Sequence, residues 1–424
     1  MEKTKISNTD VFKRLAEWNP WWKENKIREE MKGVKREYLE DIIKWIDEKE
    51  IKVLIGPRRA GKSTLFYQII DYIHNKNKVP FENIVLINFQ DNLFLEKNLE
   101  DIYLSYIQNI NPTNKLYLFI DEAQEKKGWD KWIKKMYDLK KNISFFVSGS
   151  NAKLLKSEFS SYLSGRKIEF EVYPLSLKEC LKIAGISKIL SLEDEAKAKN
   201  IYKNYIKYGG FPEVYFKNEQ LKIDLLTNYM NDFIERDIAR RYNIDSEKIR
   251  FLIKWISTNS GKEISINSLE KTLGISGETI NNYLGYIKDA YLIIEVKSFS
   301  PSLKKQEIEP KRYYLIDPGL ISIYEFSFRE EYGKLLESVV GINLSFKNKQ
   351  IYYKNTPKGE IDFIFEKNKF YNGLCVTHNP EIEREKRNYD FGIKELKLKE
   401  VKYITFDYED EKSIPIYKWA INTF

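Results

Sequence analysis

Gly56 to Ser63 read GPRRAGKS, which satisfies G-x-x-x-x-G-K-[ST] in full. The run follows an apolar stretch, IKVLI, and opens helical text, the setting that such a loop needs. Gly56 and Gly61 permit a turn tight enough for backbone N–H groups to surround phosphate oxygens. The helix N-terminus beyond them favours the same negative charge. The expected nucleotide contacts are Gly56, Pro57, Arg58, Arg59, Ala60, Gly61, Lys62, Ser63 and Thr64, with Lys62 reaching the β- and γ-phosphates. Arg58 and Arg59 also have a plainer reading, as salt-bridge partners at a surface or between domains. The implied cofactors are ATP and Mg²⁺, with Ser63 and Asp121 as the metal-side residues.

The second half of the site is KLYLFIDEAQ, residues 115–124, a strand ending in two carboxylates. Its spacing from Lys62 is that of a neighbouring strand in a parallel sheet. Asp121 is expected to support Mg²⁺ through its water shell and Glu122 to activate the attacking water. Gln124 either orients water or contacts another segment. ISFFVSGS, residues 143–150, ends in Ser148 and Ser150, which read either as sensors of the γ-phosphate or as caps of a following helix. Charge neutralisation calls for an arginine outside the loop. Arg166 in LSGR is the first choice, with Arg236, Arg240 and Arg241 behind it; an ion pair with Glu169 or Glu171 is the competing role for Arg166. The expected catalytic set is Glu122, Lys62 and Arg166.

These side chains need a sheet to hold them. Strands are predicted at 51–55, 84–88, 116–120 and 143–147, with another near 168–172, and helices from about 62, 97 and 130, the alternation of an open parallel α/β fold. Ahead of them a helix from about Arg36 to Glu48 carries Leu39, Ile42, Ile43 and Ile46 on one stripe, and Trp21 and Trp22 beside Pro20 are expected to pack on the next domain. Helical text dominates from about 192 to 290, and short Tyr- and Phe-rich strands follow Ser300. At 424 residues two or three domains are expected, with boundaries near 175–195 and near 300. The net charge of +8 comes from 71 basic and 63 acidic residues, interspersed, so it favours a polyanionic partner only mildly. Cys180, Cys375, His74 and His378 fit no zinc or disulfide spacing. No apolar run is long enough for a membrane span and none marks a signal peptide, so a cytoplasmic location is expected.

With these motifs in hand, the chain resembles archaeal and bacterial ATP-binding proteins that join an AAA-type ATPase domain to a C-terminal domain of unknown function. The matching pieces are GPRRAGKSTL, LFIDEAQ, SGSNAKLL at 148–155, LSGRKIEFEVYPLSLKE, YGGFPEV at 208–214, IERDIARRY, YLIDPGL at 314–320, LLESVVGINL and KGEIDFIF. The resemblance implies an α/β P-loop NTPase of AAA or STAND-like type with a helical lid, a winged-helix module and a C-terminal α/β restriction-endonuclease-like domain. The corresponding bounds are 1–35 for an N-terminal helical extension, 36–190 for the ATPase core, 191–245 for the lid, 246–300 for the winged helix and 301–424 for the last domain. The partner it leaves open is DNA or protein, and a ring, a monomer and an inhibited state all fit these residues.

The residues themselves give the middle module a helix near 248–258, another near 266–272 and a third after Ser276, joined by the short turn LGIS. If it reads DNA, Asn281, Asn282, Tyr286, Lys288 and Lys297 are the contacts; the alternative is a structural or protein-contacting role. Glu337, Glu360 and Asp362 invite a metal-nuclease reading of the last domain. Cys375 and Thr377 stand where a carboxylate or amide and a lysine are wanted, and Glu381 and Lys386 lie too far along, so an inactive scaffold is favoured over a divergent nuclease. Cys375 with His378 lacks a third group. Tyr313, Tyr314, Tyr352 and Tyr353 are either base-stacking or ordinary sheet residues. Alternatives to a hydrolytic switch are an ATP-regulated DNA-binding protein, a nuclease and a non-catalytic ATP-sensing scaffold.

Overall fold

The computed structural model describes residues 7–150, 163–324, 332–348, 350–378 and 381–422. Residues 151–155 of the SGSNAKLL signature lie outside them. Contacts divide the chain into two units, Met1–Val172 and Tyr173–Phe424.

In the first unit the apolar runs form β1 (Ile51–Ile55), β2 (Ile84–Asn88), β3 (Leu116–Asp121), β4 (Ile143–Gly149) and β5 (Lys167–Glu171), all parallel, in the order β2-β3-β4-β1-β5. β1, β2 and β3 are buried along their whole length, as strands covered on both faces must be. β3 does not neighbour β1 as its spacing suggested: β4 runs between them, which places Ser148 in the row of strand ends. The helix Lys62–Asn75 buries Leu65, Phe66, Ile69, Ile70 and Ile73, an i, i+4 stripe, with Phe66 edge-on to Phe119.

β2 is an edge strand, and the N-terminal segment closes it. The Asn19 side chain accepts from Leu86 N (2.7 Å) and donates to Leu86 O (2.9 Å), as a neighbouring strand would. Trp21 and Trp22 donate to Ile84 O, so the tryptophans belong to the core of this unit. The helix expected over 36–48 is Tyr38–Ile42 followed by a 3₁₀ turn, Ile43–Trp45. Its last carbonyls turn toward Lys52 and Ser144, which take Ile46 O and Glu48 O.

The second unit opens with the short helix Leu177–Ile183, followed by the longer helices Leu192–Tyr208 and Glu219–Asp232, the last running into a π-helical stretch, Phe233–Ala239. Then come Ser246–Thr258, Ile266–Leu273 and Gly277–Asp289, capped by Asp245, Ser265 and Ser276. β6 (Ile293–Ser298), β7 (Arg312–Leu315), β8 (Ile351–Thr356), β9 (Gly359–Lys367), β10 (Phe370–Thr377), β11 (Val401–Thr405) and β12 (Ser413–Pro415) form one mixed sheet, ordered β12-β11-β10-β9-β8-β6-β7. β6 bonds to β7 on one side and β8 on the other, so no break in the sheet marks residue 300.

Two of the sequence signatures meet inside this unit. The buried Asp317 carboxylate accepts from Gly210 N (2.7 Å) and Gly319 N (2.9 Å), joining YGGFP to DPGL. Gly209 has φ +70°, and a Cβ there would lie 1.6 Å from Asp317 Oδ1, so only glycine fits. Asp317→Ala leaves both buried N–H groups without their acceptor and is expected to cost about 2–4 kcal/mol, read as a lower denaturant midpoint.

Candidate functional site

The turn after β1 is forced by its surroundings. Gly56 has φ +144°, and a Cβ on it would stand 2.0 Å from Val172 O, the residue that continues β5. Arg59 and Gly61 also have positive φ, and the helix begins at Lys62. Its Nζ, nearly fully buried, donates to Gly56 O (3.0 Å) and Pro57 O (2.8 Å). Ala60 is buried within the loop, and the Thr64 methyl lies against Gly33.

The strand ends supply the carboxylates. Ser63 Oγ donates to Asp121 Oδ2 (2.6 Å), Ser148 Oγ donates to Asp121 Oδ1, and Ser148 Oγ accepts from Glu122 N (3.1 Å). Glu122 is buried in the left-handed region, φ +53°, with its Oε2 bonded by Ser150 (3.1 Å) and Gln124. Burial and the adjacent Glu122 charge push Asp121 above the usual carboxylate range. Burial acts most strongly to raise Glu122, but Lys62 and Arg58, with the hydrogen bonds from Gln124 and Ser150, together hold that carboxyl low. The two adjacent carboxyls are thus pushed in opposite directions.

This donor set fits a nucleotide with a hard cation. A hydroxyl and a carboxylate oxygen in contact suit Mg²⁺, which keeps waters and takes phosphate oxygens in place of an all-protein cage. Among the described residues no group of three or more His, Cys, Asp or Glu could hold a metal by itself. Gln124 Oε1 is buried with no hydrogen-bond partner among the described residues, a polar atom left over beside Glu122.

One residue near the loop was not singled out from sequence. Arg36 is buried, donates to Ala60 O (2.7 Å) and lies over the Tyr38 ring, while Gln68 fixes its segment by bonding Lys32 O, Val34 O and Arg36 N. Its only signal was a basic residue opening the amphipathic stretch before β1. Arg166, by contrast, is misplaced for the expected role in its own chain. Its carbonyl accepts from Ile51 N, at the start of β1, and the loop follows the other end, roughly 15 Å of strand away. The Arg166 guanidinium pairs with Asp138 (3.4 Å) and lies over Tyr137.

In the second unit, Arg236 lies in the π-helical stretch and Arg240 and Arg241 in the turn that follows. Lys288 pairs with Glu295 (2.9 Å), Lys297 with Glu307 (2.5 Å), and Tyr286 stacks on Tyr242, while Asn281 bonds back to Gly277 O. Asn282 is exposed.

Glu337, Glu360 and Asp362 do come together, around the buried Arg312 guanidinium at 3.4, 2.7 and 3.4 Å. Glu263 stands 4.0 Å away and the Tyr353 ring lies beneath. Tyr314 donates to Glu337 (2.6 Å). Burial pushes Glu337 up to about 8 and Asp362 up to about 6. Tyr313, Tyr314, Tyr352 and Tyr353 are all buried, so they are sheet residues and not stacking platforms. The Cys375 thiol faces Glu360 O and the His378 ring stacks on Phe406. Glu381 lines a small cavity with Asp362, Cys375 and Thr377.

Residues 48–181 match the family described as AAA domain, and residues 199–326 match the Domain of unknown function (DUF8612). Together with the parallel sheet they define the class: an α/β protein with an AAA-type P-loop domain, whose general activity is ATP binding and hydrolysis. The chain is 32% identical over 408 residues to the uncharacterized protein MJ1544 of Methanocaldococcus jannaschii, covering 89% of this chain and 90% of that one. An uncharacterized protein of Haemophilus influenzae is 31% identical over 339 residues, 78% of this chain and 83% of its own. The chain belongs to the family of these proteins, with an AAA-type P-loop ATPase domain followed by an uncharacterized C-terminal domain. A solved structure, the Walker-type ATPase PABY2304 of Pyrococcus abyssi, aligns with a TM-score of 0.45 and 14% identity over 76% of this chain and 99% of that one. No helix among the described residues is long and apolar enough to cross a membrane.

Arg312→Met strips the counter-ion from buried carboxylates and is expected to cost about 3–5 kcal/mol near neutral pH. Glu337 and Asp362 have folded values raised above those of the unfolded chain, so their share of stability is present at low pH and lost as pH rises through about 6 and about 8. Arg312 lowers both values, so in the variant they lie higher still, and it should recover stability as pH is lowered, beginning above that window, measured as the denaturant midpoint against pH.

Proposed function

We propose that the chain is a Mg²⁺-dependent ATPase whose nucleotide state controls its contacts with a protein partner. The observation that carries this reading is the meeting of Lys62, Ser63, Asp121 and Glu122 at the ends of β1 and β3. Gly56 to Thr64 would hold the phosphates, and Ser63 with Asp121 would hold the cation. Mg²⁺–ATP, when bound, supplies the electrophilic phosphorus and a metal that offsets negative charge.

Glu122, whose carboxyl Lys62, Arg58 and its hydrogen bonds hold low against burial, would take a proton from water, with Gln124 and Ser150 holding one of its oxygens. Ser148 ties Asp121 to the Glu122 backbone and so links the metal side to the base side. Arg58 is the arginine whose charge acts on Glu122 in its own unit.

A protein partner is preferred to DNA because Lys288 and Lys297, the cations a winged helix would offer to phosphates, already hold Glu295 and Glu307. The three-helix segment with β6 supports a winged-helix reading. The run of helix, antiparallel β8-β9-β10, helix and parallel β11 supports a restriction-endonuclease-like reading of the last third. That domain is read as non-cleaving, since Arg312 stands among the carboxylates that a nuclease would give to metal.

The test is steady-state ATP turnover by the full chain and Glu122→Gln, with Mg²⁺ or chelator, alone and with duplex DNA. Expected are turnover in the wild type, a loss of about 10²–10⁴-fold in the variant, none with chelator and no response to DNA. Turnover that survives the substitution would refute Glu122 as base, and DNA stimulation would reverse the choice of partner.

A further inference from the structure

We propose that this protein self-associates head to tail, with the leucine-bearing acidic turn around Leu190–Glu195 of one copy seated in a basic groove on the helix Ser246–Thr258 of the next. The groove, about 470 Å³, is bounded by that helix and the C-terminal end of Ile266–Leu273. Its apolar floor is Phe251 and Leu273, with Lys248, Lys254, Arg250 and Thr272 around them and Glu247 at the rim beside Arg250.

Phe251 is 46% exposed on a helix whose opposite face, Ile249, Leu252, Ile253 and Ile256, is completely buried. Lys248 and Lys254 lie one turn before and after it and make no ion pair among the described residues. Arg250 is taken by Glu235 (3.0 Å) and Glu247 (3.7 Å), so the two lysines carry the uncompensated charge of the rim. A concave apolar floor between ammonium groups fits an acidic segment with one or two aliphatic anchors, where a nucleic-acid backbone would ask for a flatter, more uniformly basic face.

The same unit displays such a segment. Leu190 and Leu192, at 84% and 86%, are the most exposed large apolar side chains among the described residues. Glu193, Asp194 and Glu195 follow directly in the first helical turn. The turn is already fixed: Ser191 Oγ accepts from Asp194 N (3.0 Å), and the Asp194 carboxylate accepts from Leu190 N (3.0 Å). Little ordering is left to oppose binding. Glu195 is committed to Lys199 and Tyr417, which leaves Glu193 exposed to meet a lysine.

Groove and segment are both open on one unit, so neither covers the other within a copy. Because the two surfaces differ, the contact is heterologous, and each copy added presents a fresh groove or a fresh segment. Association then continues beyond two copies or closes into a ring.

Sedimentation velocity of the full chain over about a hundredfold range of concentration tests this, using a groove variant, Lys248→Glu with Lys254→Glu, and a segment variant, Leu190→Ser with Leu192→Ser. All four positions lie outside the core, so the folds should persist, which far-UV circular dichroism checks. Expected are a wild-type mass that climbs with concentration, each variant alone at the mass of one copy, and an equimolar mixture of the two that stops at a dimer. The mixture holds one intact segment, on the groove variant, and one intact groove, on the segment variant, and hence one working interface. A wild type that stays at one copy, variants that associate as the wild type does, or a mixture that forms nothing would each overturn the proposal.

Discussion

A lysine has to be kept charged inside a protein loop, and the nucleotide site is arranged around that requirement. Lys62 is 4% exposed, and removing an ammonium group from water is costly unless its protons and its charge are both matched. Gly56 O and Pro57 O take its protons, and the carboxylates at the end of β3 lie within its field. Such carbonyls are available only because the chain turns at Gly56 under Val172, where no side chain fits. The carboxylates are available only because parallel strands end in one row. Sheet order, loop shape and charge placement thus express a single constraint.

The sequence made much of this legible. Fully buried strands read as continuous apolar runs, so β1 to β4 were located within two residues of their ends, and the loop motif dictated the helix start at Lys62. Stripes such as Ile280, Tyr283, Leu284 and Ile287 gave the buried faces of the later helices. Spatial order was less visible, because no local pattern tells which strand enters between two others; β4 separating β1 from β3 could be found only from pairing. Arg166 shows the same gap. Its nearness in sequence to Ser148 and Ser150, the candidate sensors, suggested the site, but a parallel strand starts at the far end of the sheet from where its neighbours finish. Arg36 was overlooked for a related reason: a buried guanidinium that bonds a backbone carbonyl carries no motif.

Charge compensation recurs in the second unit with the roles reversed. There the carboxylates Glu337, Glu360 and Asp362 need a cation, and the chain supplies Arg312 from β7, at the edge of the same sheet. The two sites contrast in what they leave for a ligand. Lys62 rests on neutral carbonyls, which an anion can replace, whereas Arg312 is held by salt bridges and hydrogen bonds to side chains of its own chain. Acidic residues gathered at one point of a sheet are therefore poor evidence for metal chemistry until the cations around them are known.

The most direct measurement is a calorimetric titration of the full chain with ATP and Mg²⁺, comparing the wild type with Lys62→Ala at matched folding stability. Saturable binding by the wild type, with affinity reduced at least about tenfold in the variant, is the expected result, a tenfold change corresponding to about 1.4 kcal/mol. Equal affinities would contradict the assignment of Lys62 as the phosphate-binding cation and, with it, the reading of the strand-end carboxylates as an ATPase site.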